Sequence, residues 1–339
     1  MKALITGGAG FIGSHLADSL LEQGHSVTVI DNVSTGTLEN IAGLTDHPRF
    51  QIAMESITNE VVMDRLVSEC DVVFHMAGAV GVFLIVKDPV HVIETNVLGT
   101  IGVLNVANRY RKKVVIASTS EIYGKSSEIP YREDTDRVLG PTTKSRWSYS
   151  TSKAVDEFLG LAYHRQFGLP VVIFRLFNTV GPRQTGHYGM VVPRLVQQAL
   201  RGEQITVYGD GLQTRTFCDV QDVVTAIIGL TNCPDAVGEV FNIGSANELT
   251  ILDLAEKVLH AVDAAGPNGA GAGESGFEGS RIVRVPYDQA YEPGFEDMRR
   301  RVPDTSKIKA MIGWEPKISL EDTLARIVQS QTINGAPSD

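Results

Sequence analysis

Gly7-Gly8-Ala9-Gly10-Phe11-Ile12-Gly13 is the stretch on which the fold turns. Its spacing is G-x-x-G-x-x-G, and it lies between the short apolar run Lys2–Thr6 and a helically periodic segment, Phe11–Gln23, with Phe11, Ile12, Leu16, Leu20 and Leu21 on one side. A second apolar run, Ser26–Ile30, follows. Strand, glycines, helix and strand in that order predict a βαβ unit. The glycines permit a tight turn and close approach of the backbone to a pyrophosphate, which sits on the helix N-terminus. Asp31 ends the second strand, eighteen residues after Gly13. A carboxylate there accepts from both ribose hydroxyls and repels a 2′-phosphate. With no arginine at Asn32 or Val33, the expected cofactor is NAD rather than NADP.

Outward from this unit, strand candidates at Phe50–Ala53, Asp71–His75, Lys113–Ser118 and Pro170–Phe174 alternate with helical stretches, notably His91–Arg109 and Thr151–Phe167. Such alternation predicts an α/β fold with a doubly wound parallel sheet of the Rossmann kind. After about Gly181 the rhythm changes. Short segments (Ile205–Tyr208, Thr214–Asp219, Glu239–Ile243, Arg281–Val285) mix with helices at Val192–Arg201, Val220–Leu230, Thr250–Val262 and Ser319–Ser330. The expected organisation is a dinucleotide domain over residues 1–180, to which parts of the later chain can return, and a smaller C-terminal α/β lobe over 181–339. Residues 264–280 are glycine-rich with almost no apolar content, and are expected to form a mobile surface loop.

Composition narrows the classes. A hydrophobic share of 43% with 21% charged residues suits a globular protein of 339 residues. No uninterrupted apolar run reaches the ~18–20 residues of a membrane helix, and the strand-like segment beginning at Lys2 leaves no room for a signal peptide. Cys70, Cys218 and Cys233 form neither a disulfide framework nor a metal pattern. The expected setting is the cytoplasm. A net charge of −10 argues against nucleic-acid or anionic-membrane partners, while local arginines leave a phosphorylated ligand open.

Tyr149 and Lys153 stand four residues apart, some thirty positions after Ser118-Thr119-Ser120-Glu121. On a helix this pair shares a face. An ammonium there favours the phenolate and lowers a tyrosine pKa that is ordinarily about 10, as oxidation of a hydroxyl requires of its base.

With these residues in view the chain resembles the extended short-chain dehydrogenase/reductase family, in its nucleotide-sugar branch. The resemblance rests on GGAGFIG at 7–13, Asp31, HMAG at 75–78, Asn96, STSEIYG at 118–124, YSTSK at 149–153, RLFNTVGPR at 175–183, VYGDG at 207–211, TRTF at 214–217, FNIGS at 241–245 and RRRVPD at 299–304. It implies NAD held by Gly7, Gly10, Phe11, Ile12, Gly13, Asp31, Asn32, Ala77, Asn96, Ser118, Tyr149 and Lys153. It also implies a lobe that clamps a nucleoside diphosphate sugar, a UDP-sugar in particular, through Thr119, Asn178, Arg183, Val192, Tyr208, Arg215 and Arg301. By position Tyr149 would be the general base, Lys153 would lower its pKa and bind the nicotinamide ribose, and Thr119 would bond the sugar C4 oxygen. Arginine suits a diphosphate because its guanidinium donates in a planar fork; Arg299 and Arg300 are read as a solvated face instead. Two departures stand out. Met54-Glu55 replaces the usual Gly-Asp, leaving Glu55 as the adenine contact, and Phe83 and Thr185 stand where similar glucuronate 4-epimerases carry arginines. The family also implies a homodimer through His91–Arg109 and Thr151–Phe167.

The shared first step in this branch is oxidation at C4, after which the 4-ketone has three fates. A C5 carboxylate is lost as carbon dioxide, a C6 hydroxyl is eliminated as water, or hydride returns to the other face and the sugar is 4-epimerised. Glu121 beside the reacting centre offers an acid or base that a 4-epimerase does not need. The dTDP-glucose 4,6-dehydratases carry Asp-Glu where this chain has Ser120-Glu121, and serine is a poor acid. Thr-Ser-Glu with Arg301-Val302-Pro303 is similar to the UDP-glucuronate decarboxylases. GDP-mannose 4,6-dehydratases share Thr-Ser-Glu but lack the Gly-Pro-Arg and usually take NADP. Decarboxylation is thus the preferred expectation, with catalytic candidates Thr119, Ser120, Glu121, Tyr149, Lys153 and Arg301; epimerisation and dehydration stay open. A non-enzymatic dinucleotide-binding regulator has no use for the Thr119, Tyr149 and Lys153 retained here.

Overall fold

The computed structural model describes residues 1–186, 189–266, 281–290 and 298–333. The first half runs β1 (Lys2–Thr6), α1 (Phe11–Glu22), β2 (Ser26–Asp31), β3 (Phe50–Met54), α2 (Glu60–Glu69), β4 (Val72–His75), α3 (Val82–Lys87), α4 (Pro89–Tyr110), β5 (Lys113–Thr119), α5 (Arg146–Phe167) and β6 (Val171–Leu176). The second half runs β7 (Thr179–Val180), α6 (Val191–Leu200), β8 (Ile205–Tyr208), β9 (Thr214–Thr216), β10 (Cys218–Asp219), α7 (Val220–Asn232), β11 (Val240–Ile243), β12 (Glu248–Thr250), α8 (Ile251–Ala265), β13 (Ile282–Val285), α9 (Tyr287–Ala290), α10 (Ser306–Ile312) and α11 (Leu320–Ile333).

Seven strands form one parallel sheet in the order β3-β2-β1-β4-β5-β6-β11. Its central strands are buried on both faces, which is why they read as continuous apolar runs rather than alternating ones. Successive side chains feed opposite cores. Ala3 and Ile5 pack with α1 and with Val220, Val223, Val224 and Ile227 of α7. Leu4 packs with Met63, Leu66 and Val67 of α2 and with Val103, Leu104, Val106 and Ala107 of α4. Both α7 and β11 come from beyond residue 181, so the later chain crosses back to complete this sheet and its cover.

A separate core gathers Val192, Leu195 and Val196 of α6, Leu254 and Val258 of α8, and Leu324 and Val328 of α11 beside β8. There β8 pairs with β13, and β9 with β12. Three sequence expectations need adjusting. Helix α5 starts at Arg146 rather than Thr151, which places Tyr149 inside it. Helix α8 continues to Ala265, held at its start by a Thr250/Asp253 capping box, and the rest of the expected loop, 267–280, lies outside the described residues. Helix α4 is long and apolar enough to cross a membrane by length and composition, yet its second half packs Val103, Leu104, Val106 and Ala107 into the core beneath the sheet.

The strand order reverses between β1 and β4, and in such sheets ligands bind at the carboxyl ends beside the switch point. The glycine run leaves the end of β1, HMAG the end of β4, Thr119-Ser120-Glu121 the end of β5, and Asn178 lies just past β6. The topology therefore gathers motifs over 170 residues apart onto one edge.

Candidate active site

These ends open into a cleft of about 1860 Å³ between the sheet edge and the C-terminal lobe. On the β1–β2 side the residues fit NAD. Gly7 has φ +70°, and a Cβ there would lie 2.7 Å from the backbone of Ala77; a Cβ on Gly13 would lie 2.3 Å from the Gly7 carbonyl oxygen. Only glycine allows this turn to close against β4 while helix α1 packs onto it. Helix α1 has no side-chain cap at Gly10, so its first amides face the cleft as an anion seat. At the end of β2 the Asp31 carboxylate accepts from Ala9 N at 2.9 Å and Val33 N at 2.8 Å. It is fixed before a ribose arrives and keeps lone pairs for it.

The other cofactor candidates divide. Phe11, Ile12, Asn32, Glu55, Ala77 and Ser118 line the cleft. Glu55 is tied to Ser56 N (2.8 Å) and Asn59 Nδ2 (3.1 Å). The Ser118 hydroxyl donates to Glu157, within the buried Glu157–Arg175 network, and so turns away from the cleft. Asn96 does not line the cleft at all. Its Oδ1 accepts from Ala79 N, and its Nδ2 donates to Ala79 O and Ser152 Oγ, clamping the loop after β4 onto α5.

At the centre Thr119, Tyr149 and Lys153 come together. Thr119 hydrogen-bonds the Tyr149 hydroxyl. Its own oxygen also accepts from Glu121 N, starting the short 3-10 turn Ser120–Tyr123. Lys153 Nζ donates to Asp156 Oδ2 at 2.6 Å. The largest influences on the phenol come from elsewhere. Burial, then the negative charge of Glu121, push Tyr149 well above its usual range, against the Thr119 hydrogen bond; Asp156 adds to the rise and Arg301 opposes it.

Glu121 is gripped from two sides. Arg146 Nη2 reaches Oε2 at 3.2 Å, and Arg301 Nη1 pairs with Oε1. Burial alone would raise this carboxyl, but the charges of Arg146, Arg301 and Arg215 outweigh it and hold it at about 2. Near neutrality Glu121 is therefore an anion, so of the acid and base roles read from the sequence this arrangement favours the base. Arg301 arrives on a strap anchored at both ends: Thr214 N donates to Arg299 O (2.9 Å), Tyr131 N to Val302 O and Asp304 N to Tyr131 O (both 2.8 Å). Its Nη2 donates to Asn178 Oδ1 at 2.7 Å.

On the lobe side Val192, Tyr208 and Arg215 line the cleft. The Arg194 guanidinium lies 4.2 Å from the Tyr208 ring centroid. Arg215 donates to Thr214 O. Arg183 pairs with Asp18 of α1 at 2.7 Å, lying along the cofactor helix and not only toward a substrate. Arg299 and Arg300 pair with Asp210 and Glu248 at the surface, as read. Thr185 lines the cleft, and the side chain of Phe83 lies outside the described residues. Arg146 and Asp156 were missed by the sequence reading. Starting α5 five residues late hid Arg146, whereas Asp156 lay inside the expected helix, three residues after Lys153, and its spacing was passed over. Among the described residues there is no cluster able to hold a metal ion.

A family described as GDP-mannose 4,6 dehydratase matches residues 4–327. A UDP-N-acetyl-alpha-D-glucosaminuronate decarboxylase of Bacillus cytotoxicus is 42% identical over 97% of each chain. The UDP-glucuronic acid decarboxylase 1 of Arabidopsis thaliana is 37% identical over 97% of this chain and 69% of that protein. Among solved structures, a UDP-glucuronic acid 4-epimerase from Bacillus cereus, in complex with UDP-glucuronic acid and NAD, superposes with a TM-score of 0.83 at 28% identity, covering 99% of this chain and 100% of that one. With its glycine turn, Thr119, Tyr149 and Lys153 assembled at the sheet's switch point, the chain belongs to the GDP-mannose 4,6-dehydratase family of extended short-chain dehydrogenases/reductases, NAD-dependent enzymes that modify nucleotide sugars.

Proposed function

We propose that the protein decarboxylates a UDP-hexuronate, with UDP-glucuronate or its 2-acetamido analogue as substrate. The observation that carries this reading is the ionised Glu121 held between Arg146 and Arg301 beside Tyr149. Dehydration needs an acid for the leaving C6 hydroxyl, and neither Ser120 nor this carboxylate supplies one. Loss of carbon dioxide needs no acid at C6, only a proton that solvent can later supply at C5. The surplus of guanidinium charge at Arg146, Arg215 and Arg301 also suits a sugar carboxylate and a diphosphate.

Bound NAD supplies reversible hydride acceptance. Tyr149 takes the C4 hydroxyl proton while the C4 hydride leaves, and Thr119 orients the C4 oxygen. In the resulting β-keto acid the C5–C6 bond breaks, its electron pair passing into the C4 enolate as carbon dioxide departs. A proton from solvent water adds at C5 to regenerate the ketone, and Tyr149 then returns its proton to the C4 oxygen as hydride comes back to C4, giving the pentose. The 2-acetamido substrate is favoured by the 42% relative, whose name specifies that sugar.

Incubation with each UDP-uronate, followed by detection of carbon dioxide and a UDP-pentose, tests the proposal. Unchanged sugar, or only a 4-epimer, would overturn it. We further propose a homodimer through α4 and α5, supported by the exposed Val90, Ile93, Leu98 and Phe158 on these two helices; light scattering at monomer mass would reject it. The cytoplasmic setting is likewise proposed, in keeping with three free cysteines.

A further inference from the structure

Asp156 is a fully buried carboxylate outside the set of residues that line the cleft. Its side chain is 0% exposed, and burying a carboxylate costs several kcal/mol unless it is paired. Its neighbour Glu157 has a structural use, meeting Arg175 twice and Ser118 once. Asp156 has no such set. One oxygen accepts from Lys153, and the other, Oδ1, has no hydrogen-bond partner among the described residues. Behind it stands the Thr100 hydroxyl, which favours the carboxylate's charge and also meets His75 Nε2 at 3.0 Å. His75 Nδ1 in turn meets Thr6 Oγ1 at 2.9 Å, and Thr6 accepts from Ala77 N, in the loop that lines the cofactor side of the cleft. Burial pushes the Asp156 carboxyl up, and Lys153 is the first of the influences opposing that rise.

We infer that Asp156 is a positioning residue for Lys153. It takes one of the three ammonium N–H bonds and leaves two aimed into the cleft for the neighbouring hydroxyls of the nicotinamide ribose. The i, i+3 spacing on α5 makes the anchor local and rigid, and the Thr100–His75–Thr6 chain fixes it from behind. Without the anchor a long, flexible lysine has to be ordered at each binding event.

The test is a double-mutant cycle on NAD affinity, by calorimetry on nucleotide-stripped protein: wild type, Lys153→Met, Asp156→Ala, and both together. Each single change is expected to weaken NAD by about tenfold, and the double variant to bind no worse than either. Additive loss in the double variant would overturn the inference, because it would mean that Asp156 acts by a route other than Lys153. Thermal melting without nucleotide gives a second readout. Lys153→Met, which strands a buried carboxylate, should melt below the double variant; the reverse order would reject the pair. Asp156→Asn, which keeps the shape, covers the case in which alanine fails to fold.

A kinetic arm rests on the proposed activity: Asp156→Asn should lower kcat about tenfold with KM for the UDP-sugar within about twofold, and a change in KM alone would count against positioning. Should the wild type turn over no UDP-hexuronate, the proposed function fails while affinity and melting still decide this inference.

Discussion

On one side of Tyr149 an anion, Glu121, is shared by two guanidinium groups; on the other a cation, Lys153, has a single carboxylate, Asp156. Both clusters are buried, yet they are assembled in opposite ways. Lys153 and Asp156 are three residues apart on one helix, so the helix alone sets their geometry. Glu121, Arg146 and Arg301 come from a turn after β5, the first turn of α5 and a strap from the far end of the chain. The local pair is electrically neutral and holds one side chain in place. The long-range cluster carries a surplus positive charge and ties a strap from the far end of the chain to the sheet edge.

The sharpest way to break this comparison is to remove the group between the clusters. Tyr149→Phe is expected to lower kcat by about 10²- to 10⁴-fold while NAD binding persists; near-wild-type turnover of UDP-uronates would reject the assigned base. Glu121→Gln probes the long-range cluster alone. Because Glu121 is held at about 2 against an ordinary 4.5, its contribution to stability is complete above pH 4.5 and lost as pH falls to about 2. That contribution is about 3 kcal/mol, so the difference in unfolding free energy between wild type and variant should collapse across that window. The same substitution removes a charge that raises Tyr149, so the acid limb of kcat/KM should move to lower pH, and an unmoved limb would show that Glu121 does not act on the phenol.

His75 reports from beneath the local cluster. Burial, reinforced by Lys153, lowers it from 6.5 to about 3. The unfolded chain therefore takes up a proton that the folded one refuses, and stability falls by about 1.4 kcal/mol per pH unit below 6.5, levelling near pH 3. His75→Asn should flatten that slope in acid-unfolding curves, and a slope unchanged in the variant would assign the sensitivity elsewhere. Smallest of all is Arg299→Ala. Its side chain is 76% exposed and paired with Asp210 at the surface, so melting and turnover should match wild type. A large loss would extend the buried cluster out along the strap.

The Rossmann half was legible in the sequence because its signals are local. The glycine spacing, the strand before it and Asp31 after it each constrain a few neighbouring residues, and burial on both faces writes the strands as apolar runs. The return of α7 and β11 to the sheet left no such mark. A strand added at the sheet's end is specified by the face it finds, not by its own pattern. The same holds in the site. The Tyr149/Lys153 pairing follows from helical spacing, whereas the grip of Arg146 and Arg301 on one carboxylate depends on three backbones meeting.

By itself, then, the sequence determined the βαβ unit, the preference for NAD and the set of side chains offered for oxidation at C4, since turn chemistry and helical periodicity act over short separations. Only the tertiary structure decided their charge states. Burial and Glu121 raise Tyr149, Arg146 and Arg301 hold Glu121 ionised, and Asn96 bonds the loop after β4 to α5. Charge states depend on burial and on neighbours brought from distant positions, and these exist only once the chain has folded.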